Sequence, residues 1–173
     1  MKKHVLALLA FLSVPFLSLR AQYKPLETVG HVDLQKYLGK WYEIAAFPQV
    51  FEKGCTCTMA QYSLKSNGDI AVKNTCRRKG KVTTANGKAV VKDKVTNAKL
   101  SVSFFWPFSG KYWIIALAPD YSYAMVGHPN RKYLWILSRK PQMDQATYRH
   151  LTELAESKGF DLKKLVTTDQ SCN

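Results

Sequence analysis

Acidic residues are scarce in this chain: 12 Asp and Glu stand against 26 Lys and Arg, a formal charge of +14 over 173 residues. Histidine is scarcer still. His4, His31, His128 and His150 are the only four, and none lies at ligand spacing from a cysteine, so no zinc motif is expected. The basic residues are scattered one per turn or strand, with a single run at Arg77-Arg78-Lys79-Gly80-Lys81. No recognised nucleic-acid module accompanies them, so the excess reads as a solvated surface with affinity for anionic headgroups or an acidic ligand. Repeats, low-complexity tracts and interdomain linkers are also missing. No Ser/His/Asp arrangement stands out, so catalytic residues are not assigned.

Long apolar runs are limited to one. Lys2 and Lys3 precede Val5 to Leu19, a stretch broken only by serines and Pro15, and Leu19-Arg20-Ala21 resembles a small-residue cleavage site. Residues 1–21 are read as a signal peptide cut before Gln22, a retained anchor being the alternative. The mature domain, residues 22–173, then has 152 residues, enough for one real core. Lys2, Lys3 and Arg20 leave with the leader, so 23 bases face 12 acids and the mature charge is +11. The first cysteine is Cys55, far from the cut, which argues against an acylated N-terminal cysteine as an anchor and for a periplasmic or secreted protein. Cys55, Cys57, Cys76 and Cys172 behind an export leader read as two disulfides, of connectivity that spacing does not fix.

What is present is a series of short strands. A loose segment from Gln22 to His31 leads to a helical turn, Val32 to Leu38, capped by Asp33 and stopped by Gly39. The first strand runs from Trp41 to Phe47. Thr56 to Lys65 and Asp69 to Cys76 flank Asn67-Gly68, a hairpin signal, and Asn86-Gly87 is a weaker second turn. Lys88–Lys94, Lys99–Phe105, Tyr112–Ala118, Tyr123–His128 and Tyr133–Arg139 complete a sandwich or barrel. One helix, Asp144 to Lys158, carries an apolar stripe of Met143, Ala146, Thr147, Leu151, Leu154 and Ala155. Leu134 and Ile136 alternate away from Trp135 and would seat that helix, which leaves Trp135 facing inward. The guanidinium of Arg139 can stack on the indole of Trp41 and close one end of a barrel.

These residues resemble the lipocalin family, in particular its bacterial, apolipoprotein D and plant temperature-induced branches. Leu38-Gly39-Lys40-Trp41-Tyr42-Glu43-Ile44-Ala45 matches the family's Gly-x-Trp region. Ala118-Pro119-Asp120-Tyr121-Ser122-Tyr123-Ala124 resembles the Thr-Asp-Tyr region, with Pro119 where Thr is common. Tyr133-Leu134-Trp135-Ile136-Leu137-Ser138-Arg139 matches the third, which ends in arginine. The resemblance covers Val32 to Cys172. It implies an all-β, eight-stranded up-and-down antiparallel barrel with a C-terminal α-helix packed outside. Gly39, Trp41, Asp120, Tyr121 and Arg139 would close the barrel.

The implied function is non-enzymatic binding, transport or storage of fatty acids or lysophospholipids, without a cofactor or metal, in envelope maintenance. By resemblance to the apolipoprotein D branch, Tyr62, Asn74, Tyr112 and Trp135 fall at calyx-lining positions. Alternation adds Val72, and strand phase suggests Phe104. The same branch implies a Cys57–Cys172 pair, leaving Cys55 with Cys76. Phe105-Trp106-Pro107-Phe108 is an apolar loop suited to the open mouth, where it would touch a membrane or a second protomer. Capture of an anionic iron chelate or haem is the alternative; Arg77, Arg78 and Lys99 are its candidates, with His128 as a haem ligand. A lipocalin-type enzyme would need a reactive thiol or acid in the calyx, and the even cysteine count leaves no obvious free thiol.

Overall fold

The computed structural model describes residues 24–172. The expected leader, residues 1–21, lies outside the described residues. A one-turn helix α1 (Leu34–Tyr37) is followed by strands β1 (Gly39–Ala46), β2 (Thr56–Leu64), β3 (Ile70–Arg78), β4 (Lys81–Val91), β5 (Lys99–Phe105), β6 (Phe108–Leu117), β7 (Tyr123–Gly127) and β8 (Leu134–Ser138). Helix α2 (Gln145–Ser157) and a two-residue strand β9 (Val166–Thr167) end the chain. Every sequential pair is antiparallel, and β1 pairs with both β2 and β8, so eight strands close into a barrel while β9 adds to the upper half of β1. Closure removes the exposed edges that a sandwich would have left.

Alternation divides the apolar residues between two cores. Trp41, Tyr62, Ile70, Val72, Leu100, Ile114, Val126 and Leu137 point into the barrel. Ile44, Ile115, Met125, Leu134 and Ile136 point outward against Leu151 and Ala155 of α2. The helix is fixed at both ends. Asp144 caps it by accepting from the Thr147 amide at 2.8 Å, and beyond Ser157 the Gly159 and Phe160 amides bond the Glu156 and Ala155 carbonyls. Gly159 takes the left-handed conformation (φ 86°) and the Phe160 ring is buried, the pattern that ends a helix by a backbone turn plus an apolar contact.

Three expectations about the chain path need correction. Asn86-Gly87 is no turn but the middle of β4, opposite Lys73 and Val72. Gly87 is there for room: a Cβ would lie 2.6 Å from the Ser103 carbonyl oxygen and 2.8 Å from the Phe104 ring. The turn sits instead at Lys79-Gly80, both with positive φ, so the basic run crosses the β3–β4 hairpin. At Asn67-Gly68 only the glycine has positive φ; the loop is five residues long and the Asn67 side chain accepts from the Asp69 amide. Finally, the segment before His31 is held: the Val29 amide bonds the Ile114 carbonyl at 3.0 Å, and Leu26 is buried under the helix side.

Candidate functional site

Up-and-down connectivity puts the β2–β3, β4–β5 and β6–β7 links at one end of the barrel with α1. That end is a floor. Trp41 is fully buried, its indole N–H donates to the Tyr37 carbonyl at 2.8 Å, and the Arg139 guanidinium lies 3.8 Å from its ring centroid. Arg139 also donates to the main-chain carbonyls of Lys40, Lys36 and Tyr121, so one planar fork joins α1, β1 and the β6–β7 turn. Gly39 takes the left-handed conformation (φ 93°) beneath it, which favours glycine there; a Cβ would stand in ordinary contact with Nη1 at 3.4 Å. Tyr121 contributes its hydroxyl, which accepts from the Asp33 amide; Asp120 accepts from the Ser122 amide, and the Ser122 side chain and amide together hold its carboxyl below the usual range.

Above the floor the inner wall is first sealed and then opens. Tyr37, Tyr62 and Tyr112 converge there: the Tyr112 hydroxyl is 2.8 Å from that of Tyr37 and 3.0 Å from that of Tyr62. Burial pushes the Tyr62 phenol up to about 12 and raises those of Tyr37 and Tyr112 well above their ordinary value, so all three stay neutral and hydrogen-bonding. Three hydroxyl protons serve two bonds, which leaves one for anything that enters. Higher up, Ala60, Asn74, Val102, Phe104 and Trp135 are only half-buried although they face inward. The Asn74 side-chain oxygen is buried and has no partner.

The mouth is crossed by the β1–β2 connection, residues 47–55. Cys55–Cys76 ties it to β3, with Cα atoms 5.5 Å apart, and Arg78 Nη2 donates to the Phe51 carbonyl at 2.6 Å. From this strap Glu52 reaches toward the inner wall beside the Trp135 indole. Burial, and the nearby Glu43 carboxylate, push Glu52 up to about 8. Around the rim stand exposed apolar side chains: Trp106 is 91 % exposed, Phe105 77 % and Phe108 76 %. Lys53, Lys79, Lys81 and Lys132, on the other loops of this end, are exposed too.

Of the sequence candidates, Tyr62, Val72, Phe104, Tyr112 and Trp135 belong to, or pack on, the inner apolar cluster, and Asn74 shares their face opposite Ala60. Phe104 reaches it from above Gly87. Cys57 and Cys172 are disulfide-bonded across 115 residues, which places the chain terminus beside β2. The cationic candidates disperse. Lys99 faces outward over the Trp113 ring, 3.9 Å from Asp93; Arg77 alternates away from Asn74; and His128 sits in a rim loop accepting from the Asn130 amide. Arg78 is committed to the strap. Sequence reading missed Glu43, Glu52 and Thr58. The available signal for Glu43 was its parity with Trp41, two residues earlier on a strand whose inner face is otherwise apolar.

A closed eight-stranded barrel with a plugged floor, a half-buried upper inner wall and an outer helix has the architecture of a calyx protein. The match to the lipocalin-like domain model over residues 32–170 makes the membership specific: the chain belongs to the lipocalin family. It is 41 % identical over 157 residues to temperature-induced lipocalin-1 of Arabidopsis thaliana, covering 86 % of this chain and 84 % of that one. It is 39 % identical to the outer membrane lipoprotein Blc of Vibrio cholerae, with 82 % and 85 % covered. Bovine (Bos taurus) apolipoprotein D is 40 % identical over 80 % of this chain and 77 % of its own. Insecticyanin of the tobacco hornworm Manduca sexta shares the fold with a TM-score of 0.69, at 23 % identity and 85 % coverage of both chains.

Proposed function

We propose that this protein binds and carries a small amphiphile, a fatty acid or lysophospholipid, in its calyx, without covalent chemistry and as an exported periplasmic or secreted protein free of a lipid anchor. The observation that carries the reading is the graded inner wall: sealed at the tyrosine floor, half-open above it, and holding an unpartnered amide oxygen on Asn74. An acyl tail would lie along Tyr62, Val72, Phe104 and Tyr112, and its head would stop near Asn74 and Trp135. Burying ten methylenes is worth roughly 8 kcal/mol before ordering costs, enough for micromolar affinity after them. The four cysteines are all in disulfides, so no thiol is available for isomerase chemistry.

The rim supports the delivery route. Phe105, Trp106 and Phe108 project beside exposed lysines, and the only acid on these connections, Glu52, is turned inward. Apolar residues among cations suit an anionic bilayer, from which a single-chain lipid would pass directly into the mouth. Native mass spectrometry of mature protein from its own host, followed by organic extraction, tests the proposal. Co-purified fatty acid or lysophospholipid at near one per chain is the expected result. An empty calyx that also refuses acyl ligands in titration would refute it.

A further inference from the structure

The upper wall holds more acid than a carrier of plain acyl chains needs. Glu43 pairs across the ladder with Leu137, whose side chain is in the inner cluster, so the carboxylate faces the calyx and is only 7 % exposed. Thr58 continues the inward alternation of Tyr62 and Ala60 on the next strand and is also 7 % exposed. The two stand side by side, because Gln170 Nε2 donates to the main-chain carbonyls of both at 2.8 Å. Glu52 descends from the strap onto Trp135, near enough to Glu43 for the two carboxyls to repel. Across β8, β1 and β2 this makes one continuous strip.

No cation answers these acids. Neither Glu43 nor Glu52 belongs to an ion pair among the described residues. Glu43 receives the Thr168 hydroxyl at 2.5 Å, and the Trp135 indole stands beside Glu52. The Thr58 hydroxyl oxygen, buried beside them, has no partner at all. Burial raises Glu43 and takes Glu52 to about 8, so the empty strip keeps a proton at neutral pH; it offers carboxyl lone pairs, an indole face and acids that ionise beside an entering cation. What it lacks is a positive charge that would let both acids ionise, and burial makes ionisation without one costly. An anionic headgroup would meet like charge here, and a hydroxyl would leave the acids uncompensated. An ammonium group brings three donors and the charge, and stacks favourably on an indole.

Resting on the carrier reading above, we infer that Glu43, Glu52, Thr58 and Trp135 form a subsite for a protonated amine at the head of a single-chain amphiphile. Two sources share this chemistry, a plain long-chain amine and an aminoethyl phospholipid. Arg78, on the inner face of β3 at the mouth and with its buried Nε unpartnered, would suit the phosphate of the second.

The test uses delipidated mature protein and isothermal titration at pH 7, below micellar concentrations, with dodecylamine, dodecanol, dodecanoate and a twelve-carbon lysophosphatidylethanolamine. Dodecylamine should bind at least about tenfold more tightly than dodecanol, and dodecanoate least tightly of the three. E52Q, on the strap, and E43Q, in the wall, should each lower the amine-to-alcohol affinity ratio severalfold. Tighter binding of the phospholipid than of the amine assigns the phospholipid source, and the reverse order assigns the plain amine; either supports the subsite. A ratio near one, or a ratio that survives both substitutions, overturns it while leaving the carrier reading intact. Refusal of all four ligands overturns the carrier reading and this inference together.

Discussion

Removal of the two disulfides in turn, as C57A/C172A and C55A/C76A, should destabilise the protein unequally, in an order set by loop length. The Cys57–Cys172 bridge spans 115 residues and Cys55–Cys76 spans 21. In the chain-entropy treatment the restraint on the unfolded chain grows with the logarithm of the loop, giving about 4.8 kcal/mol for the long bridge and about 3.3 kcal/mol for the short one at 25 °C. The long bridge should therefore cost about 1.5 kcal/mol more to lose. Native contacts push the same way: without the bridge, the Gln170 bonds to Glu43 and Thr58 and the short β9 pairing must hold the tail alone. Urea unfolding followed by intrinsic fluorescence measures both costs from the midpoints, and the m-values report how far each unfolded chain expands. A larger loss from C55A/C76A than from C57A/C172A would refute the reasoning. It would mean that the short bridge acts in the native state, through the strap it pins over the mouth, and not through the unfolded chain.

Three further outcomes follow from the site. R139M removes three bonds to carbonyl oxygens and the cover of the Trp41 ring, a loss of about 3–5 kcal/mol in urea unfolding, while R139K keeps the charge but recovers less than half, because an ammonium cannot span three carbonyls and stack. Glu52 is raised to about 8, so its protonated form is favoured by the fold; that contribution is complete below the ordinary carboxylate range and is lost as pH rises through 8. A carbon-13 carboxyl titration should find its midpoint near pH 8, and E52Q should flatten the fall in stability between pH 4.5 and about 8. Vesicle co-sedimentation should show binding to anionic and not to neutral bilayers, weakened severalfold by W106A/F108A, since these side chains contact nothing that the fold requires.

The legibility of this chain in its sequence was uneven for physical reasons. Floor residues were readable because they are coupled: Gly39, Trp41 and Arg139 need one another's shapes, and such constraints leave a fixed spacing. Alternation sufficed for the two faces of β8, where Leu134 and Ile136 meet α2 and Trp135 meets the calyx. Turn chemistry misled at Asn86-Gly87, because a glycine that clears space for the Phe104 ring looks the same as one that turns the chain. Composition hid the acids. In a chain with 26 bases and 12 acids, attention goes to the positive residues, yet Lys99 and Arg77 turn away from the calyx while Glu43 and Glu52 face in. Net charge describes the solvated outer surface, where most ionisable groups sit; it is silent about the few that the strand period sends inward. For a barrel that binds in its interior, inward parity is therefore the better guide to ligand charge. By that measure a strongly basic protein presents an acidic strip to its ligand.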